Sequence, residues 1–294
     1  WIDKIQLIDS LQETGDLSLR MNMMVPGLPN NLDYFLKKGV VKTDKLHVRS
    51  FKFYADGALG SRGALLREPY TDRPESYGLP VMSLNAIEVA ASRIANSEFQ
   101  MNTHAIGDSA NRQILLTYKK ALNGKIDRRW RIEHAQVVSQ DDFKCFDDII
   151  PSIQPTHCTS DMYWAGDRIG SERLKGAYAF KQLLKVNGRV ALGTDFPVEQ
   201  VSPILTFYAA VSRQDLKGYP EGGFQMQNAL TREEALKGMT IWAAYANFEE
   251  QEKGSIEPGK FADFIILDND IMKVPVQDIP NIKVRQTFID GVAL

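Results

Sequence analysis

Along this chain, short apolar runs alternate with apolar stripes at helical spacing. Leu17–Val25 reads as a strand closed by Pro26-Gly27, and Leu46–Ala55 as another, ending at Asp56-Gly57. Leu84–Ala95 places Leu84, Ile87, Ala91 and Ile94 on one helical stripe. A strand ending at His104 follows. Then comes a helix over Ser109–Leu122, with Asp108 as its cap and Ile114, Leu115, Tyr118 and Leu122 on one face. The next strand ends at His134, and Ser139-Gln140-Asp141-Asp142 predicts the start of a short helix. Ile149–Pro155 predicts a strand, and Glu172–Val186 a helix stopped by Asn187-Gly188. Gly188–Asp195 predicts one more strand, and Thr231-Arg232-Glu233-Glu234 a capping box opening a helix that runs to about Asn247.

Strand-then-helix alternation of this kind predicts a parallel sheet, and strands apolar almost throughout predict a sheet covered on both faces. After Gly254 the pattern changes. Phe261–Asp268 and Lys283–Leu294 read as strands without helices of their own, a small β element beside the main body. The 294 residues suit one large α/β barrel or two smaller domains. A net charge of -2 with interspersed signs points away from nucleic acid and toward a small-molecule substrate. Cys145 and Cys158 are too few for a disulfide framework, which fits a reducing compartment. The sequence has no apolar run long enough for a membrane span and no visible signal peptide. A cytoplasmic protein is the default expectation, although the opening Trp1–Ile8 reads as the middle of a helix, so targeting information is expected to lie outside these residues.

The candidate chemistry sits at strand ends. His104, His134 and Asp195 each close an apolar run, and in a barrel of parallel strands such ends converge on one mouth. Two imidazoles and a carboxylate there suit a divalent cation such as zinc with a position left open. Asp195 would serve both as ligand and as proton shuttle. Lys52 lies inside the apolar run Ser50–Tyr54, where burial favours its neutral amine. Such an amine can add carbon dioxide and become a metal-bridging carbamate; on spacing alone, a lysine snorkelling to the mouth or paired with a carboxylate is the better reading. His157 ends the Ile149 strand and faces the same mouth as a substrate contact or oxyanion donor. Asp56 and Arg62, on the glycine-rich loop leaving the Leu46 strand, are substrate-binding candidates, with Arg62 able to clamp a carboxylate or carbonyl. His47 enters its strand at the opposite end and reads as structural. Alternation places Glu133 on the other side of its strand from His134.

The sequence resembles the amidohydrolase superfamily, in the branch of YtcJ-like proteins and N-substituted formamide deformylases. The segments that carry the likeness are Phe51–Arg62, Thr103–Asp108, Arg131–Gln136, Leu192–Val198 and the closing Gly254–Asp263. The resemblance implies a TIM-like (β/α) barrel over residues 1–253, comprising about strands three to eight, and part of a β-sandwich over 254–294. It implies metal ligation by Lys52 as a carbamate on the fourth strand, His104 on the fifth, His134 on the sixth and Asp195 on the eighth. One or two ions, zinc first, would be bound. The family's His-x-His motif lies on a first strand that would precede Trp1, which leaves a non-catalytic barrel fragment as a rival reading. The expected activity is hydrolysis of carbon–nitrogen bonds other than peptide bonds, of amide or N-substituted formamide type. An aminohydrolase acting on a heterocycle is the rival within enzymes, and a homodimer is left open.

Overall fold

The computed structural model describes residues 1–294. Six parallel strands form one curled sheet in the order β1 (Met21–Pro26), β3 (Leu46–Tyr54), β4 (Gln100–Ala105), β5 (Arg131–His134), β6 (Ile150–Ile153) and β7 (Ala191–Leu192). The short β2 (Val41–Lys42) pairs antiparallel with the start of β3. The result is a half-barrel with helices on its outer side. α3 (Leu84–Ile94) and α4 (Asp108–Leu122) pack on each other and on β4, and α7 (Phe180–Asn187) packs on β6.

Local sequence explains the helix boundaries. Ser83 caps α3 through its side chain, and Thr231 and Glu234 form the reciprocal capping box of α9 (Arg232–Met239). α4 starts at Asp108 itself, with Gly107 as its cap. Asp108 instead accepts from the backbone N–H of Arg67 at 2.9 Å. A side chain at Gly107 would meet the carbonyl oxygen of Leu65 at 2.0 Å, so only glycine lets the Gly57–Pro80 loop seat on the start of α4.

Three helical stretches differ from the sequence pattern. The stripe read over Glu172–Val186 is split between α6 (Ala165–Leu174) and α7. Between them Ala177 bridges Val137 and Tyr178 takes a φ of 52°, which no continuous helix permits. Pro155 opens α5 (Pro155–Asp161) rather than ending β6, because proline suits the first helical turn. The helix expected from Thr231 to Asn247 breaks at Thr240 into α9 and α10 (Ile241–Ala246).

The C-terminal residues form an antiparallel sheet of β8 (Phe264–Leu267), β9 (Val284–Ile289) and β10 (Val292–Ala293). The hairpin between β9 and β10 turns at Asp290-Gly291, both with positive φ. Ile271, Ile279 and Ile282, between β8 and β9, belong to the same hydrophobic core as the half-barrel. Arg20 fastens this sheet to the strands, pairing with Asp263 at 2.6 Å and stacking 3.5 Å over Phe261. No helix is long and apolar enough to cross a membrane.

Candidate active site

The C-terminal ends of the strands surround a cavity of about 780 Å³ whose lining includes Lys52, His104, His134, His157 and Asp195. Register alone would not place both His104 and His134 there. β4 and β5 pair His104 with Glu133 and Ala105 with His134, and paired residues share a face of the pleat. His134 reaches the cavity because its backbone leaves the pleat at φ 78°, followed by Ala135 at 44°. Positive φ at two successive non-glycine residues is costly and clusters at functional sites. Glu133 faces the sheet's interior below the mouth and pairs with Arg131 at 2.9 Å, so it shares the inner face with His104. Burial would raise its pKa, but Arg131 and Lys52 outweigh that and hold it near 2.

The histidine rings meet closely. His104 and His134 lie edge to face with centroids 4.5 Å apart, and His134 and His157 are 5.8 Å apart. One ligand atom from each of His134, His157 and Asp195 lies within 4.8 Å of the others. Burial first, then neighbouring His134 and Lys52, lowers His104 to about 3; burial, Lys52 and His157 lower His134 to about 4. Both imidazoles are therefore neutral at physiological pH, as ligation requires. The Nε2 of His104 and the Nδ1 of His134 are buried without a hydrogen-bond partner. Buried polar nitrogens normally find partners, and two orphans at the mouth of one cavity are donors that a cation could take up. The donor set suits zinc or a similar divalent ion.

His157 stands apart. Its Nε2 is 3.2 Å from Asp195 Oδ2 and its Nδ1 is 3.1 Å from Glu199 Oε1. Burial alone would lower its pKa, but the two carboxylates outweigh it and raise it to about 9. It is an imidazolium with two N–H donors rather than a ready ligand. Asp195, at φ 58°, is held below the usual carboxylate range: the hydrogen bond from His157 and the nearby His134 overcome the opposing effect of burial.

Lys52 lines the cavity with its Nζ 5.1 Å from the Tyr54 ring centroid. It makes no ion pair, and burial lowers its pKa against the opposing pull of Glu133. The other two candidates lie elsewhere. Asp56 is buried beneath the mouth, where its carboxylate accepts from the backbone N–H groups of Leu65, Ile106 and Gly107 at 2.8–3.0 Å. Those bonds anchor the Gly57–Pro80 loop to the end of β4, within 3.7 Å of His104 Nε2. Arg62 is outside the cavity lining and grips Asp72 through two bonds of 3.0 and 2.7 Å, while Arg168 pairs with the same carboxylate. Sequence reasoning missed Glu199 and Asp161. Neither sits in a motif or ends a strand; Glu199 reaches His157 because the turn after Asp195 folds back, with Val198 N–H donating to the Asp195 carbonyl at 2.8 Å.

The sequence matches the amidohydrolase family over residues 2–294. The chain belongs to the amidohydrolase family. It is 37% identical over 265 residues to the Arabidopsis thaliana protein LONG AFTER FAR-RED 3, covering 88% of this chain and 45% of that protein. It is 32% identical over 246 residues to the Bacillus subtilis (strain 168) protein named as amidohydrolase YtcJ, covering 82% and 46%. Over 129 residues it is 33% identical to an Arthrobacter pascens N-substituted formamide deformylase, covering 44% and 23%. These relatives place the family member in the YtcJ-like branch. Among solved structures, an uncharacterized metal-dependent hydrolase from Pyrococcus horikoshii OT3 superposes with a TM-score of 0.82 at 31% identity, over 92% of this chain and 55% of that one. The chain thus spans about half the length of the relatives it matches.

Proposed function

We propose that this chain carries most of the site of a metal-dependent hydrolase of non-peptide carbon–nitrogen bonds, of the amide or N-substituted formamide type. The observation that carries the reading is the pair of buried, unpartnered imidazole nitrogens on His104 and His134, the second of them grouped with Asp195. In this reading the six parallel strands are strands three to eight of a TIM-like barrel, residues 254–294 are part of a sandwich, and Lys52, His104, His134 and Asp195 hold one or two divalent ions, zinc first. The low-pKa amine of Lys52 suits conversion to a carbamate. When bound, such an ion supplies Lewis acidity toward an amide carbonyl and lowers the pKa of water.

The protein's own groups do the rest. Asp195 takes the proton of the attacking water and returns it to the leaving nitrogen. His157 restrains the Asp195 carboxylate through Nε2, and the positive charge of its ring favours the negative charge that develops on the carbonyl oxygen. Glu199 fixes the ring of His157 from the other side. The Gly57–Pro80 loop, anchored through Asp56, closes one wall of the cavity; Arg62, clasped to Asp72, holds the loop's shape.

The test is elemental analysis of the intact protein together with a panel of N-substituted formamides, other amides and amino-heterocycles. Bound divalent metal with turnover of formamides or amides is the expected result. Turnover confined to ring amines would replace the reading with an aminohydrolase, and a metal-free protein inert on the whole panel would leave a non-catalytic barrel.

A further inference from the structure

Asp161 is the last residue of α5, one turn beyond His157, and lines the cavity wall. Its carboxylate is held by one oxygen only. Oδ2 accepts from the Tyr178 hydroxyl at 2.8 Å and from Gln136 Nε2 at 3.1 Å. Both donors are neutral, the His157 ring acts on the carboxylate through space without a hydrogen bond to it, and Oδ1 accepts from no protein group. The supports are themselves fixed: Tyr178 and Gln136 are buried, and the Tyr178 N–H donates to the Gln136 carbonyl at 2.8 Å. A carboxylate oriented on one oxygen by rigid buried donors, with the other oxygen open to a cavity, is a preorganised acceptor.

Asp161 is not part of the metal cluster. The close group of ligand atoms contains His134, His157 and Asp195 without it. Aromatic side chains line the same cavity. Trp164, three residues on, lines the same cavity and packs against Gly60 so closely that a side chain there would come within 3.2 Å of its ring. Tyr54 lines the cavity as well. Aromatic faces beside a carboxylate attract alkylammonium groups, through the ring quadrupole and a charge-assisted hydrogen bond together.

We propose that Asp161 is a specificity-determining residue, which receives an ammonium or other cationic N–H donor on the substrate arm remote from the scissile bond. The substrate class is then an N-acyl or N-formyl amine carrying a second, protonated amine, an assignment that rests on the amide-hydrolase reading above for its reaction. Burial pushes the pKa of Asp161 up to about 6 against the pull of the Tyr178 hydrogen bond, so the carboxylate is mostly ionised at neutral pH and ready for such a partner.

Two measurements on the intact, metal-loaded protein decide it. The first compares kcat/KM for mono-N-formyl-1,5-diaminopentane and for N-formylhexylamine, which has a methyl group in place of the ammonium. The wild type is expected to prefer the charged substrate about tenfold or more, the scale of one charge-assisted hydrogen bond. Asp161→Asn is expected to lose that preference through KM while keeping kcat on the neutral substrate. The second is calorimetric binding of 1,5-diaminopentane, which needs no turnover; Asp161→Asn should weaken it about tenfold or more. Equal kcat/KM for both amides in the wild type, or no diamine binding that depends on Asp161, overturns the proposal. Diamine binding that depends on Asp161, without hydrolysis of either amide, would instead sink the amide-hydrolase reading and leave the recognition role standing.

Discussion

The two ends of the same strands treat their histidines and lysines in opposite ways. At the N-terminal end, His47 opens β3 and lies 3.4 Å from Glu249, whose carboxylate also meets Lys42 at 3.1 Å and Lys253 at 3.0 Å. Each charge there has a counter-charge. At the C-terminal end, His134 is buried and His104 half-buried, yet Nδ1 of the first and Nε2 of the second are enclosed without a partner, and Lys52 has no ion pair. Backbone follows the same division. His134, Ala135 and Asp195 carry positive φ at the mouth, whereas His47 sits within a regular strand. Four histidines in one sequence therefore differ by a physical criterion: one is paired with a carboxylate, one lies between two carboxylates, and two have a ring nitrogen without a partner. A buried polar group left unpaired costs about 1–3 kcal/mol, a cost that a bound cation would remove at the mouth.

The largest expected effect breaks the mouth's side of that contrast. His104→Ala and His134→Ala should each remove bound metal from the intact protein and abolish hydrolysis, while circular dichroism and thermal midpoint change little. His47→Ala should retain the metal. Elemental analysis of the three variants is the measurement. Unchanged stoichiometric metal in both mouth variants would mean the orphan nitrogens do not mark a cation site.

Asp195→Asn comes next. The amide keeps an oxygen able to ligate but cannot carry the proton, so metal content should stay and kcat should fall by about 10²–10⁴-fold, the usual worth of general acid–base transfer. Steady-state kinetics on a hydrolysed amide, with metal content confirmed, measures it. Near wild-type turnover would move the proton shuttle to another residue, His157 being adjacent at 3.2 Å.

Much of this site was legible in the sequence because strand ends are. His104, His134, His157 and Asp195 each end an apolar run, and a parallel sheet brings such ends together. Lys52 was legible as a lysine out of place among Phe51 and Phe53. Asp56 and Arg62 share the same loop in sequence, yet one is drawn beneath the mouth by three backbone N–H groups and the other outward by Asp72. Which way a loop side chain turns depends on partners tens of residues away, and no local pattern encodes that. Glu199, Asp161 and Gln136 were invisible for a related reason: their roles arise from the turn after Asp195 and from packing of Tyr178, not from spacing. The pattern also overran β7, expected over Gly188–Asp195 and observed as Ala191–Leu192, which pairs only with β6. With a ladder on one side only, fewer residues are held extended.

The smallest expected effect lies at the satisfied end and concerns stability. Burial would raise the pKa of Glu249, but His47, Lys253 and Lys42 outweigh that and hold it near 2 in the folded protein, against an ordinary value near 4.5. A folded-state pKa below the unfolded one means the unfolded chain takes up the proton first as pH falls. The stabilisation is therefore fully present above about pH 4.5 and is lost progressively toward pH 2. With the Glu249 side chain only 4% exposed, solvent screening is weak, and the contribution at neutral pH is about 3 kcal/mol. Glu249→Gln should lower stability by about that amount at pH 7, measured by urea unfolding, and its difference from the wild type should shrink as the pH drops from 4.5 toward 2. Metal content and turnover should be unaffected, since the knot is at the other end of the strands. A difference that stays constant across that pH range would show that the carboxylate's charge is not what holds this end of the sheet together, and that the contrast between the two ends rests on packing alone.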